Sequence, residues 1–197
     1  MTEKVKTREQ LENIMRTAVS KILGIDENDN RKIRFGWGTS PATGSAPNWS
    51  RDSNTVFIYD LPVDDPVNRK RETDYINEGN DKLTYTDTHI DVHEFMFACY
   101  GPDSFNWARA IRNGIHEHEV SMELRKNDLF LVPDIQAPQV VPELYSGEWW
   151  DRTDVRIRFN ERVKIVKENS VNPVESVDIS AESADKTPKK KRGESNG

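Results

Sequence analysis

The sequence predicts an α+β fold: a mostly antiparallel β-sheet flanked by two main helices, with a protruding β-hairpin arm and a disordered C-terminal tail. Three observations carry this. Residues Thr88 to Tyr100 alternate with period two, and Gly101-Pro102-Asp103-Ser104 turns them into a stretch where Phe105, Ala108, Ile111 and Ile115 recur at helical spacing. Residues 149–166 alternate again, Val155, Ile157 and Phe159 opposing Arg156, Arg158 and Asn160. Ahead of both, residues 8–23 form an amphipathic helix with start and stop signals at its two ends.

In that first helix, Thr7 and Gln10 have capping-box spacing, Leu11, Ile14, Met15, Ala18, Val19 and Ile22 form one stripe, and Gly24 stands at the C-cap. Residues 31–37 alternate as a strand through Ile33, Phe35 and Trp37. Residues 38–54 are rich in Gly, Ser, Pro and Asn and read as a long irregular loop, a binding or assembly segment or else a mobile one. Thr55 to Asp60 is a second, mostly apolar strand.

Residues 69–77 and 82–88 read as the two sides of a hairpin around Glu78 to Asp81, with Tyr75, Leu83 and Tyr85 near its tip. An unbroken strand from Lys82 to Tyr100 would span about 60 Å at roughly 3.3 Å per residue, so a bulge or bend is expected inside it. On that strand Ile90, Val92, Met96 and Ala98 share one face, and His89, Asp91, His93, Phe95, Phe97 and Cys99 the other. The aromatics crowd its C-terminal end, which predicts burial on both faces there.

The second helix runs from Ser104 to about Lys126, and two helices meeting near Gly114 fit the same pattern. Leu129 to Val132 is a short strand, and the three prolines of residues 133–142 make an extended connector. In the last strand Val163 and Ile165 resume the alternation after Asn160-Glu161, where a bulge or turn is expected. One domain thus occupies residues 1–167, and residues 168–197, without aromatics and dominated by Ser, Glu, Asp, Lys and Pro, form the disordered tail.

Composition narrows the function. The chain has 197 residues, 35% hydrophobic and 31% charged, yet five Trp, seven Phe and five Tyr are enough to build a core. A net charge of −6 argues against a protein that mainly grips nucleic acid. The basic run Lys189 to Arg192 sits among as many acids and reads as a solvated tail; a nucleic-acid patch is the alternative. No apolar run approaches the roughly 20 residues of a membrane helix and no signal-peptide pattern is present, so a protein kept in a reducing cytosol until it assembles is expected.

Catalytic readings find little support. His89 and His93 share a strand face about 13 Å apart at roughly 3.3 Å per residue, too far for one ion. His116 and His118 point about 200° apart if helical. Cys99 lies among Phe97, Ala98 and Tyr100 and reads as a buried hydrophobe. Walker, Gly-x-Ser-x-Gly and dinucleotide fingerprints are absent. No catalytic, cofactor or metal residue is assigned; a small metal-dependent hydrolase built on His89 or His93 is the rival from another class.

Tyr100 to Phe105 (YGPDSF), followed by Ala108, Ile111 and Arg112, resembles the neck terminator, or tail-terminator, proteins of tailed phages. So do Val132-Pro133, Val141 to Leu144 and Gly147 to Arg152 (GEWWDR) leading into Asp154 to Glu161, and, more weakly, Arg51-Asp52 before the Thr55 strand with Asp65-Pro66 and Arg69 after it. The resemblance covers about residues 33–166. It implies a non-enzymatic virion protein of the phage neck, assembled in the host cytoplasm as a ring, commonly six-fold, at the head-proximal end of the tail. Such a ring stops tail-tube growth, touches the tail tube and the neck or connector proteins, and lets genomic DNA through without sequence-specific binding. A head-completion or adaptor protein of the same neck is the alternative. Candidate subunit-interface residues are Trp49, Arg51, Tyr75, Gly79, Tyr85, Trp149 and Trp150. Trp149 and Trp150 are adjacent, so on a strand one of them faces the core. Arg156 and Arg158 are candidates for the channel or for ion pairs between subunits.

Overall fold

A computed structural model of the chain describes residues 2–3, 5–36, 49–79, 82–145 and 147–170. Elements follow in the order β1 (Thr2–Glu3), α1 (Arg8–Leu23), β2 (Ile33–Phe35), β3 (Thr55–Leu61), a 3-10 turn (Pro66–Arg69), β4 (Arg71–Gly79), β5 (Lys82–Tyr100), α2 (Ser104–Gly114), α3 (His118–Lys126), β6 (Leu129–Leu131), β7 (Gln139–Val140), β8 (Glu143–Tyr145), β9 (Glu148–Trp150) and β10 (Arg152–Ser170). Of the sequence expectations, most of the loop at 38–54, the hairpin turn at Asn80-Asp81, Trp37, and the tail beyond Ser170 with its basic run lie outside the described residues. The fold is α+β, as the residue pattern predicts.

The spine is the β5–β10 pair. The two strands run antiparallel and stay in register from Arg152 opposite Tyr100 to Ser170 opposite Lys82. On the far side of β5, β3 covers residues 94–100 and β4 covers residues 82–89. On the far side of β10, β7, β6 and β1 pair in turn with short stretches. β2 closes the β3 edge in parallel.

The helices lie on one face. Leu11, Met15, Ala18 and Val19 of α1, Ala108 and Ile111 of α2, and Val120 and Leu124 of α3 pack on Val56, Ile58, Phe95, Phe97, Val155, Ile157 and Phe159. The capping box of α1 is formed: Gln10 N donates to Thr7 Oγ1 at 3.2 Å, and Thr7 N donates to Gln10 Oε1 at 2.9 Å. At its other end Gly24 takes the left-handed conformation with φ 63°. The opposite face of the sheet carries a second, aromatic cluster of Trp49, Phe57, Tyr59, Met96, Ala98, Tyr100 and Trp150. The C-terminal half of β5 is therefore buried on both faces, as its aromatics predict.

Four expectations change. The stretch after Ser104 is two helices meeting just past Gly114, the alternative that its pattern also fits, so three helices flank the sheet instead of two. A Cβ at Gly114 would stand 2.6 Å from Ile22 Cγ2, so glycine is what lets α2 end against α1. Second, β5 has no bulge. The size argument fails because its N-terminal half leaves the helix-covered body and pairs with β4 and β10 as a three-stranded arm; the one irregularity lies in β4, between Asn77 and Gly79. Third, β10 runs straight through Asn160-Glu161. Glu161 occupies an inward position between Phe159 and Val163, all three buried, so a charged residue only looked like a break in the alternation. Fourth, β10 continues to Ser170, three residues beyond the boundary drawn after residue 167, and the proline-rich connector contributes the short strand β7.

Candidate assembly surfaces

The YGPDSF and GEWWDR stretches meet at one end of the sheet. Gly101, at φ 104°, brings the turn after β5 against the backbone of Ser53 and Asn54. Asn54 then brackets Asp103, accepting from its N–H at 3.0 Å and donating to its carboxylate at 3.0 Å. Beside this turn, Arg152 forms a bidentate pair with Asp154 at 2.7 and 2.9 Å and reaches Glu143 at 3.0 Å, while the Tyr100 hydroxyl donates to the same Glu143 at 2.6 Å. Burial opposes the Arg152 charge, but the Asp154 and Glu143 carboxylates outweigh it and hold the guanidinium above its ordinary value. Burial and donation to Glu143 push the Tyr100 phenol up, so the hydroxyl stays a donor.

This network fastens the β8–β9 hairpin to the sheet. In the hairpin, Glu143 stands opposite Trp150 and Leu144 opposite Trp149. Alternation sends Trp150 inward, where its ring meets Trp49 edge-on at 5.6 Å and Tyr145 at 5.7 Å. The same alternation sends Leu144 and Trp149 outward, 54% and 66% exposed. Of the candidate interface residues here, Trp49 and Trp150 thus lie in the subunit's own aromatic cluster, and Trp149 is presented to solvent. Arg51 lies beside it and pairs with Glu148 at 3.1 Å.

The arm holds the next group. Residues 71–77 of β4 are all exposed, and β5 is the only strand paired with β4 among the described residues. Tyr75 stands opposite Tyr85 with ring centroids 5.5 Å apart, Ile76 faces the other side, and Gly79 closes the paired segment against Lys82. Arg156 and Arg158 lie on the sheet face away from the helices and both reach Glu94 of their own chain, at 3.7 and 2.8 Å.

Sequence reasoning passed over Glu161. Its side chain is 1% exposed; it accepts from His93 Nε2 at 2.9 Å, from Lys6 Nζ at 3.1 Å and from the Lys6 backbone N–H at 3.2 Å. Burial raises the Glu161 carboxyl, but these hydrogen bonds and the Lys6 charge outweigh it and hold it below the usual carboxylate range. The signal was present: an acid at an odd, core-facing position of β10. The triad ties the N-terminal segment to the sheet and gives His93 a carboxylate partner within the chain. His89 is buried beside Arg71, whose Nη1 lies 3.2 Å from Nδ1. Among the described residues no three His, Cys, Asp or Glu side chains converge as metal ligands. Cys99 is fully buried, and burial first, with the Asp154 charge, pushes its thiol up. A thiol reagent such as Ellman's is expected to leave Cys99 untouched in the folded protein and to react on addition of denaturant; rapid reaction under native conditions would contradict the packing of β5.

Among the described residues no helix is long and apolar enough to cross a membrane. Compared with known proteins, the chain matches a family described as phage neck terminator protein over residues 9–187. The match is wider than the 33–166 span of the resemblance and takes in α1 and much of the stretch beyond β10. No curated protein matches the chain.

Proposed function

This chain belongs to the phage neck terminator protein family and is a structural protein of the phage neck and a component of the virion, and on that premise we propose that it assembles as a ring, six-fold in the simplest case, at the head-proximal end of the tail. In that position it ends growth of the tail tube and offers the neck or connector proteins a surface to join head to tail. It does so without catalysis, and DNA passes through the ring without being read. Assembly takes place in the host cytoplasm.

The observation that carries this reading is the split of the molecule into a two-core body and an arm. The body holds both apolar clusters, whereas the β4–β5–β10 arm projects beyond the helices with β4 exposed on both faces. A strand with an open edge is a pairing surface, and closed rings need two unlike surfaces on each subunit. Arg51, Tyr75, Tyr85, Gly79 and Trp149 are the candidate contacts, with Trp49 and Trp150 as the scaffold under Trp149. Arg156 and Arg158, which share the one carboxylate of Glu94, are candidates for the channel wall.

Electron microscopy of phage-infected cells lacking this chain tests the reading. Filled heads beside unattached tails of uncontrolled length are expected. Tails of normal length still joined to heads would sink it.

A further inference from the structure

Among the described residues, two exposed apolar features are complementary. One is a knob: Leu144 and Trp149 on the outer face of the β8–β9 hairpin, braced from beneath by Trp150 and the Arg152 network. The other is a groove of about 430 Å³ on the same side of the sheet, between the 3-10 turn and β6. Val67, Ile90 and Phe130 are its apolar lining, and Lys70, Glu72 and Arg162 stand among its polar groups. Roughly ten residues along β5, or about 33 Å, separate the groove from the knob end, so one subunit's knob does not reach its own groove.

We propose that the knob of one copy of this chain enters the groove of the next, with the Trp149 indole lying over Ile90 and against Phe130. The inference rests on the ring reading above and supplies its contact. Size supports it, because the groove has ample room for one aromatic side chain. So does charge. Around the knob stand Asp52, Glu148 and Asp151 against Arg51; the groove's own lining carries Lys70 and Arg162 against Glu72. The two surfaces carry opposite surpluses, which favours knob to groove and disfavours knob to knob. Arg162 already lies over the Phe130 ring, 5.7 Å from its centroid, and can face an entering indole in the same way. An apolar anchor seated in a pocket and surrounded by polar groups is the arrangement in which single residues dominate association. Because knob and groove are different patches, the contact is head-to-tail and repeats until a circle closes.

The test uses the full-length protein and light scattering after size exclusion. Wild type is expected as a closed oligomer. Trp149→Glu and Ile90→Glu, both at solvent-accessible positions, are each expected to weaken association roughly thirtyfold or more and to run as folded monomers. Mixed one to one, they are expected to form a dimer and nothing larger, because the first keeps a groove and the second keeps a knob. Phe130→Asp serves as a second groove variant should Ile90→Glu lose its circular-dichroism spectrum. Variants that assemble like wild type would overturn this contact while leaving the ring intact. A mixture that stays monomeric would equally overturn it. A wild-type chain that is monomeric at all concentrations would overturn both the contact and the ring.

Discussion

Among the described glycines, Gly101→Ala is expected to be the most damaging substitution, costing roughly 2–5 kcal/mol from backbone strain and overpacking together. The residue sits at φ 104°, where an L side chain is strained whatever the space around it. The space is also missing. A Cβ would stand 2.6 Å from Asn54 Oδ1, 2.8 Å from the Ser53 carbonyl oxygen and 2.9 Å from Asn54 Cα. Two of those atoms are backbone, so relief requires moving the loop that carries Asn54 and its two hydrogen bonds to Asp103. The turn also sets β5 beside β10, through the Gly101 N–H donating to the Asp151 carbonyl at 3.2 Å. Urea unfolding should show a large drop in midpoint with little change in slope. An unfolding free energy within about 0.5 kcal/mol of wild type would mean that the turn is far softer than its geometry implies.

Glu161→Ala is expected to cost about 3–5 kcal/mol, because it leaves His93 and Lys6 beside an apolar face without their shared acceptor. Glu161→Leu at the same site is the informative companion: volume is restored but the acceptor is not, so most of the loss should persist. The pH dependence follows from the direction of the shift. The Glu161 carboxyl titrates below its ordinary value in the folded protein. Its contribution is therefore present above the ordinary carboxylate range and is lost as pH falls through the depressed folded value. Wild type should lose stability on acidification more steeply than Glu161→Leu, the two curves converging at the acid end. Parallel curves across the acid range would show that the triad contributes nothing specific. The triad also fastens the N-terminal segment that carries β1, so Glu161→Ala should raise amide exchange at residues 5–7 before it unfolds the sheet.

Much of the fold was legible because its signals are local. Capping by Thr7 and Gln10, the stripe from Leu11 to Val19 and the opposed faces of Phe95 to Tyr100 follow from spacing and side-chain chemistry, and each stands as the spacing predicts. The YGPDSF and GEWWDR stretches pointed to the phage neck terminator family for a structural reason the sequence did not reveal. They meet to build one end of the sheet, with Gly101 in the turn and Tyr100, Trp150 and Arg152 under the hairpin.

The rest depends on distance in space. Sequence established that one of Trp149 and Trp150 faces inward, but only the pairing of Glu143 with Trp150 and the ring of Trp49 decide which. Arg156 and Arg158 read from the sequence as candidates for the channel or for ion pairs between subunits, and only the pairing of β5 with β10 places Glu94 of the same chain within reach of both. Glu161 looked like an interruption because its acceptor role needs Lys6, a partner 155 residues away. Length alone argued against an unbroken β5, and only a partner strand of equal length, extended past the helices as an arm, makes it stable. Alternation, capping and composition are fixed by neighbours in the chain. Burial of a charge, the end of a helix against another helix and the groove beside Ile90 are fixed by residues that only folding brings together.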